Sequence, residues 1–598
     1  MTIQEIQSIY QENADRYSTL AIQLQKKYNQ LAIVRLITFF MGIGLAFLIA
    51  DLGIIFCMAF IIAFIIGFGK FMIWHQNIGK QREHYKILQQ VNENELKYLA
   101  LNYNEFENGE EFMDPAHPNS VDMDIFGSFS LFQYINRTST SIGKKRLSEY
   151  LTQPANFEEI QKRQESIKEL SPKLEWRQDF QSHSFQTEDS QREISALVRW
   201  LEKEDYVILN NGFLKILLWV FPALVFGAIV GIYFGLSYKI AVGLGIGQLL
   251  VIRHYLMQIN EIHAQTAQAN KYLKKYAQII AHIEKDHFET PKLKQLRERF
   301  ISDSGTASEA FRELSYIISQ LNVRYNIFAV VLSGTVLWDL QWIRRLEVWK
   351  SKSKSALPEW FEALQEFEAM NAISTLHYNH PDWIFPTIQP ENPSFKGVQL
   401  GHPLIDRNKR VANNIELPHK GHIKLITGSN MAGKSTFLRT VGLNIILAMM
   451  GAPVCAKRFE LPLLEVYSSM RTQDALHEST SSFYAELKRL KVIIDAVDSK
   501  NNVFFLLDEI LKGTNSNDRH KGAKALILQL IKTQGMGLVA THDLELGGLE
   551  AEYKEVIENL CMEVEVLEKE LIFDYTIKKG VSQSFNATFL MRNMGIDV

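Results

Sequence analysis

Gly428-Ser429-Asn430-Met431-Ala432-Gly433-Lys434-Ser435-Thr436-Phe437 completes the pattern G-x-x-x-x-G-K-S between an apolar run at 422–427 and an apolar-striped stretch at 435–450. The run reads as a strand and the stripe as a helix, which is the setting a phosphate-binding loop requires. Two glycines let backbone N–H groups close around phosphate oxygens, and Lys434 reaches the β- and γ-phosphates. The Ser435 hydroxyl is placed to ligate Mg²⁺. The pattern therefore implies that ATP binds at Gly428, Ser429, Asn430, Met431, Ala432, Gly433, Lys434, Ser435 and Thr436. An ordinary glycine turn is the alternative, and the flanking strand and helix weigh against it.

Working outward, Val503-Phe504-Phe505-Leu506-Leu507 is a continuous apolar run, as expected of a strand buried on both faces, and it ends in Asp508-Glu509. A carboxylate pair at such a place points to chemistry. Asp508 is expected in the Mg²⁺ shell, and Glu509 is the natural general base for an attacking water. A third apolar strand, Met536-Gly537-Leu538-Val539-Ala540, delivers Thr541-His542-Asp543 at its C-terminal end, where open α/β sheets place ligands. His542 is then expected to sense the γ-phosphate; a solvated histidine at a strand end is the alternative. The three segments together predict an ATP hydrolase with Lys434, Glu509 and His542 as its catalytic groups.

The same residues carry a family resemblance. Thr427 to Thr436, then Gly451-Ala452-Pro453-Val454, Leu507-Asp508-Glu509-Ile510 with Gly513-Thr514, and Ala540-Thr541-His542 resemble the ATPase domain of the MutS family. Ser481-Ser482-Phe483-Tyr484-Ala485-Glu486 is similar to that family's signature segment, which closes the ATP site of a partner subunit. The resemblance implies that Ser481 acts in trans, and hence a homodimer. Phe573-Asp574-Tyr575, Gly580 and residues 587–595 resemble the last strands and helix of the domain, so the likeness runs from about residue 401 almost to 598. Upstream, residues 126–138 with Asn136-Arg137-Thr138, Gly143-Lys144-Lys145-Arg146-Leu147 and Leu151-Thr152-Gln153-Pro154 are similar to the opening of the family's helical core. Residues 160–170 and 360–376 add apolar positions at helical spacing. An unrelated helical region is the alternative there.

The N-terminus departs from the family. In place of a domain that reads mismatches with a Phe-x-Glu wedge stand two long apolar stretches, 32–49 and 52–74, each long enough to cross a bilayer as a helix and neither with a polar face. A second pair follows at 216–236 and 240–252, the last of them short and glycine-rich. The stretch 327–338 is only about a dozen residues, the length of a core helix, and is assigned to the soluble part. Spans in even number put the N-terminus, the middle segment and the ATPase on one side. The flanks carry Lys26, Lys27, Arg35, Lys70, Lys80, Arg82, Lys215 and Arg253 against Lys239 in the short turns, which makes that side the cytoplasm and the location a multi-pass cytoplasmic membrane protein. Cys57, Cys455 and Cys561 show no disulfide or zinc spacing.

The expected fold class is α plus α/β and multidomain: transmembrane helical hairpins, a MutS-like helical core, and a C-terminal P-loop domain of ABC type with a mixed sheet. The expected segments are 1–75 (N-terminal helix and first hairpin), 76–211 and 254–385 (core), 212–253 (second hairpin) and 386–598 (ATPase). A formal charge of −3 shows no global basic excess to advertise nucleic acid. The clusters 143–146 and 271–275 can contact phosphates, though a solvated helix face is the simpler reading. The first reading of function is a membrane-anchored ATPase whose dimer closes on double-stranded or branched DNA. The second is a membrane motor or scaffold that no longer binds DNA. An ABC transporter would need a Ser-Gly-Gly signature, and none occurs between Lys434 and Asp508. Gly227 and Gly231 give a G-x-x-x-G spacing compatible with pairing in the membrane.

Overall fold

The computed structural model describes residues 1–183, 191–203, 206–266, 269–302, 305–325, 329–429, 431–471, 482–500, 502–567 and 570–583. Helix Ile3–Ala50 opens on a capping box, Thr2 with Glu5, and runs 48 residues without a break. Asp51 caps its end, Gly53 turns the chain at φ 118°, and helix Ile54–Leu99 returns antiparallel over 46 residues. Residue 75, where the sequence reading closed its first segment, lies inside this second helix. The hairpin therefore has two halves of different chemistry. Toward the termini, Ile6, Tyr10, Ala14, Tyr17, Ile87, Leu88, Val91 and Tyr98 are buried. Toward the turn, Phe40, Phe47, Leu48, Ile54, Ile55 and Phe56 are exposed.

Helices Gly212–Tyr233 and Tyr238–Thr266 form the second hairpin. Four helices among the described residues are long and apolar enough to cross a membrane, and their apolar stretches are almost wholly unburied. Residues 329–336, read by length as a core helix, form helix Ala329–Val336, which lies against both members of the second hairpin.

The rest of the N-terminal two thirds is helical, and helix Leu357–Asn379 ties it together. Nearly every residue of it is buried. Its Phe361, Leu364, Phe367 and Met370 join one large apolar cluster with helices Ala269–Lys285, Ala307–Leu321 and Trp338–Ser353. Its Ala369, Ala372, Ile373 and Leu376 join another, shared with Met123, Phe132 and Leu147 and with helix Lys434–Met450 of the C-terminal domain. One element thus belongs to both cores, and core and ATPase-like domain pack as neighbours.

The C-terminal domain is built on a six-stranded sheet in the order Glu570–Lys579, Ile557–Leu567, Ile423–Gly428, Met536–Thr541, Val503–Asp508, Glu465–Ser469. All neighbours are parallel except the first pair. Phe504 to Leu507 are completely buried, which explains their unbroken apolar run: helices cover both faces of a parallel sheet. Each such side chain contributes about 2 kcal/mol by leaving water. A four-stranded sheet holds Thr387–Ile388, Arg458–Leu461, Phe395–Leu400 and Asn413–Leu417. An α-rich chain with mixed sheets agrees with the expected class.

Candidate nucleotide site

The three central strands Ile423–Gly428, Met536–Thr541 and Val503–Asp508 are adjacent, and their C-terminal ends carry the loop, His542 and Asp508-Glu509. Parallel register does the assembling: Ala540 sits opposite both Ile426 and Asp508. Two loop glycines are required by space. A Cβ at Gly428 would stand 2.6 Å from the Met562 carbonyl oxygen, and Gly433, at φ 99°, would bring one to 2.9 Å from the Tyr575 ring. Helix Lys434–Met450 starts directly after Gly433, so its free N–H groups face the loop.

Lys434 Nζ donates to the carbonyls of Gly428 and Ser429 at 2.9 Å each and lies 3.3 Å from His542 Nε2. Burial lowers its pKa, while Glu509 and Asp508 oppose the shift. The Ser435 hydroxyl donates to Asp508 Oδ2, and Asp508 Oδ1 is buried with no hydrogen-bond partner among the described residues. Burial raises the Asp508 pKa. A hydroxyl and a carboxylate in contact, with a desolvated oxygen still to be satisfied, fit a hard divalent cation. Ser429 Oγ is another buried oxygen without a hydrogen-bond partner among the described residues.

Glu509 adopts φ 48°, a conformation costly for a residue with a side chain, and its N–H donates to Ala540 O at 2.9 Å. Its carboxylate meets His542 Nε2 at 2.6 Å and Lys512 Nζ at 2.9 Å. The hydrogen bond from His542, with help from Lys512, holds its pKa down at about 2. A carboxylate so acidic is a weak proton acceptor; its strength lies in orienting a water by hydrogen bonding. Glu509 also borders two cavities. One, of about 450 Å³, runs along the loop and is lined by His402, Ile405, Arg410, Met431, Phe437 and Tyr575 among others. The second, about 170 Å³, is lined by Asp122, Arg471, Glu486 and Arg489 among others.

Sequence reasoning missed a clamp from outside the domain. Asp122 accepts from Ser468 Oγ at 2.8 Å, Met470 N at 3.3 Å and Arg471 N at 3.0 Å. Asp124 pairs with Arg471 at 2.7 Å and with Arg439 at 3.3 Å. Arg439 lies one turn beyond Ser435, so this loop grips the helix that carries the phosphate-binding serine. Nothing local in the sequence marks a contact spanning more than 300 residues. Lys512, three residues after Glu509, was accessible to spacing arguments and was overlooked. Glu486 of the signature-like segment accepts from Leu511 N, and Phe483 packs on Gly513. Asn430 and Ser481 lie outside the described residues; every other site residue named from the sequence lines this one region.

Comparison with known proteins matches the same part of the chain. Residues 424–590 match the family MutS domain V. The chain is 31% identical over 252 residues to DNA mismatch repair protein MutS of Thermotoga maritima, covering 41% of this chain and 30% of that protein. It is 28% identical over 336 residues to the Clostridium novyi protein of the same name, 54% of this chain and 33% of that one. It is 28% identical over 222 residues to human MutS protein homolog 4, 35% and 23%. The matched stretches span a third or less of these relatives. The likeness to the MutS family is thus carried by this C-terminal domain, whose residues 424–590 match that family's domain V.

Proposed function

We propose that the chain is a membrane-anchored MutS-type ATPase that couples ATP binding and hydrolysis to closure of a homodimer on duplex or branched DNA. The observation that carries the reading is the meeting of Lys434, the Ser435–Asp508 pair and the Glu509–His542 pair at one loop. Lys434 and the N–H groups of residues 428–436 bind the phosphates, with Asn430 included by its place in the motif. Ser435 and Asp508 are the residues that would hold Mg²⁺, which supplies neutralisation of the charge on the phosphate oxygens. Glu509 orients the attacking water, and His542, within reach of both Lys434 and Glu509, reports the γ-phosphate. Ser481 of a second copy completes the site in trans.

The four exposed apolar helices support anchoring in the cytoplasmic membrane with the ATPase domain in the cytoplasm. Gly227 has nothing within 4 Å of where a Cβ would sit, which leaves that helix face open for a partner, whereas Gly231 is packed by Leu236 of its own chain. The relatives named for DNA mismatch repair support DNA as the effector. A specific observation favours the runner-up, a membrane motor without DNA: the hairpin Gly212–Tyr233 with Tyr238–Thr266 interrupts the helical core, and the family match at 424–590 does not reach it.

The test is ATP turnover of the detergent-solubilised protein with perfect, mismatched and branched DNA, using Glu509→Gln as the blank. A DNA-dependent change in turnover that disappears at high salt is expected. Turnover indifferent to every DNA, with no binding at low salt, transfers the function to the membrane motor.

A further inference from the structure

The apolar helix Ala329–Val336 faces two ways. Ala329, Ser333 and Gly334 are buried, whereas Val330 and Val331 are 64% and 62% exposed and Val336 is 38% exposed. At eight residues it is about 12 Å long, too short to cross a bilayer. A soluble core helix of such composition would turn its valines inward. This one turns its small residues inward instead.

Its inner face sits on the second hairpin with backbones in contact. A Cβ at Gly245 would come 3.2 Å from the Gly334 carbonyl oxygen, and one at Gly334 would touch Leu249 at 3.7 Å. Gly245 is in the apolar middle of the stretch 240–252, so the short helix lies level with that stretch. Close approach through small residues is how helices pack in lipid, where apolar side chains gain nothing by leaving the solvent. The one hydroxyl on its outer half is satisfied internally, Thr335 Oγ1 donating to Val331 O at 2.7 Å. The chain then reverses at Leu337, φ 53°, whose N–H donates to the wholly buried Gln248 at 3.2 Å.

Directly after this reversal comes a collar of aromatic and cationic side chains. Trp338 and Trp342 lie 5.5 Å apart, and Tyr316 is 5.5 Å from Trp342. The Arg345 guanidinium sits 4.4 Å over Trp342, and that of Arg344 lies 5.9 Å from the exposed Trp219 on the hairpin itself. Trp and Tyr with Arg is the chemistry of the headgroup layer, where rings take the boundary and guanidinium groups meet phosphates. Exposed valines on one side of such a collar and the packed cluster of the helical core on the other are the order expected across a water-to-lipid boundary.

We propose that helix Ala329–Val336 is a third membrane element: a non-spanning helix whose Val330, Val331 and Val336 face phospholipid acyl chains beside the second hairpin. The inference rests on the reading of that hairpin as membrane-inserted. The full-length protein, reconstituted in liposomes containing phosphatidylcholine with a diazirine on its acyl chain, is photolysed and its peptides are mapped by mass spectrometry. Adducts are expected on 329–336 at a yield per residue of the same order as on 216–232 and 240–252. Adducts on both hairpins with none on 329–336 overturn this inference and leave the anchoring intact. No adducts on either hairpin overturn the membrane reading, and this inference with it.

Discussion

Glu509 Oε1 and His542 Nε2 stand 2.6 Å apart at the ends of neighbouring parallel strands, and Lys434 Nζ lies 3.3 Å from the same histidine nitrogen. A single imidazole is therefore within reach of both Glu509, proposed to orient water, and Lys434, proposed to bind phosphate. Glu509→Gln keeps the shape and removes the charge; turnover is expected to fall by about 10²–10⁴-fold with nucleotide binding retained. Lys434→Ala is expected to weaken nucleotide affinity by at least about tenfold, the worth of a charge-assisted hydrogen bond. Phosphate release and equilibrium nucleotide binding separate the two effects. Near-normal turnover in Glu509→Gln would remove that residue from its role.

Asp124 links Arg471, just beyond the edge strand Glu465–Ser469, to Arg439 on the helix bearing Ser435. Asp124→Ala removes both ion pairs without touching the phosphate loop, leaving Arg471 on the Val121 carbonyl and Arg439 on that of Asp122. Turnover is expected to fall by several-fold while nucleotide affinity holds, because the pairs are partly exposed and each contributes only ~1 kcal/mol or less. A change in affinity with unchanged turnover would show that the clamp acts on binding instead.

Glu95, on the first hairpin, and Arg137, in the core, form a bidentate pair at 2.8 and 3.0 Å, each side chain 3% exposed. Asn379 donates to the same carboxylate at 2.8 Å, and Tyr10 donates to Asn379 at 2.8 Å. Arg137→Met alone strands a buried carboxylate and is expected to cost about 3–5 kcal/mol in urea unfolding followed by tryptophan fluorescence. Replacing Glu95 by Met as well should recover much of that loss. If the double variant is as unstable as the single one, the network contributes by shape and not by charge pairing.

Burial, with Arg410 nearby, holds His380 down at about 3, and burial with Arg439 holds His402 at about 4. In the unfolded chain both return to ~6.5. The unfolded state thus takes up protons that the folded state refuses. The stability these residues contribute is whole above pH 6.5 and is lost as pH falls toward the folded values. Each contributes a slope of about 1.4 kcal/mol per pH unit inside that window. The thermal midpoint in detergent should drop between pH 6.5 and 4, and less steeply in His380→Gln, where the amide can still accept from Tyr134. A profile identical to wild type would take His380 out of the acid transition.

The catalytic strands were legible because each motif is contiguous and each ends an apolar run; parallel pairing then had little choice but to bring Ser435, Asp508 and His542 together. What holds them was illegible. Asp122 reaches Met470 across more than 300 residues, and Tyr575 fills the space beside Gly433 from the edge strand Glu570–Lys579. Such contacts depend on packing, which leaves no local period. Length is silent at 327–338 for a related reason: a short apolar helix reads alike whether protein or lipid covers it, and the exposed valines and the close approach of Gly334 to Gly245 emerge only with packing.

Helix Ile3–Ala50 is anchored near one end by Tyr10 and runs on without a kink-forming proline. Over 48 residues it reaches about 70 Å. Held at Tyr10, it is a boom: its free arm is about 60 Å, and a tilt of ~10° at its foot would sweep the far tip through about 10 Å. On the proposed membrane-anchored reading, a small rearrangement around Asn379, in the helix both cores share, would be geared up into a displacement comparable to the width of a helix at the far tip.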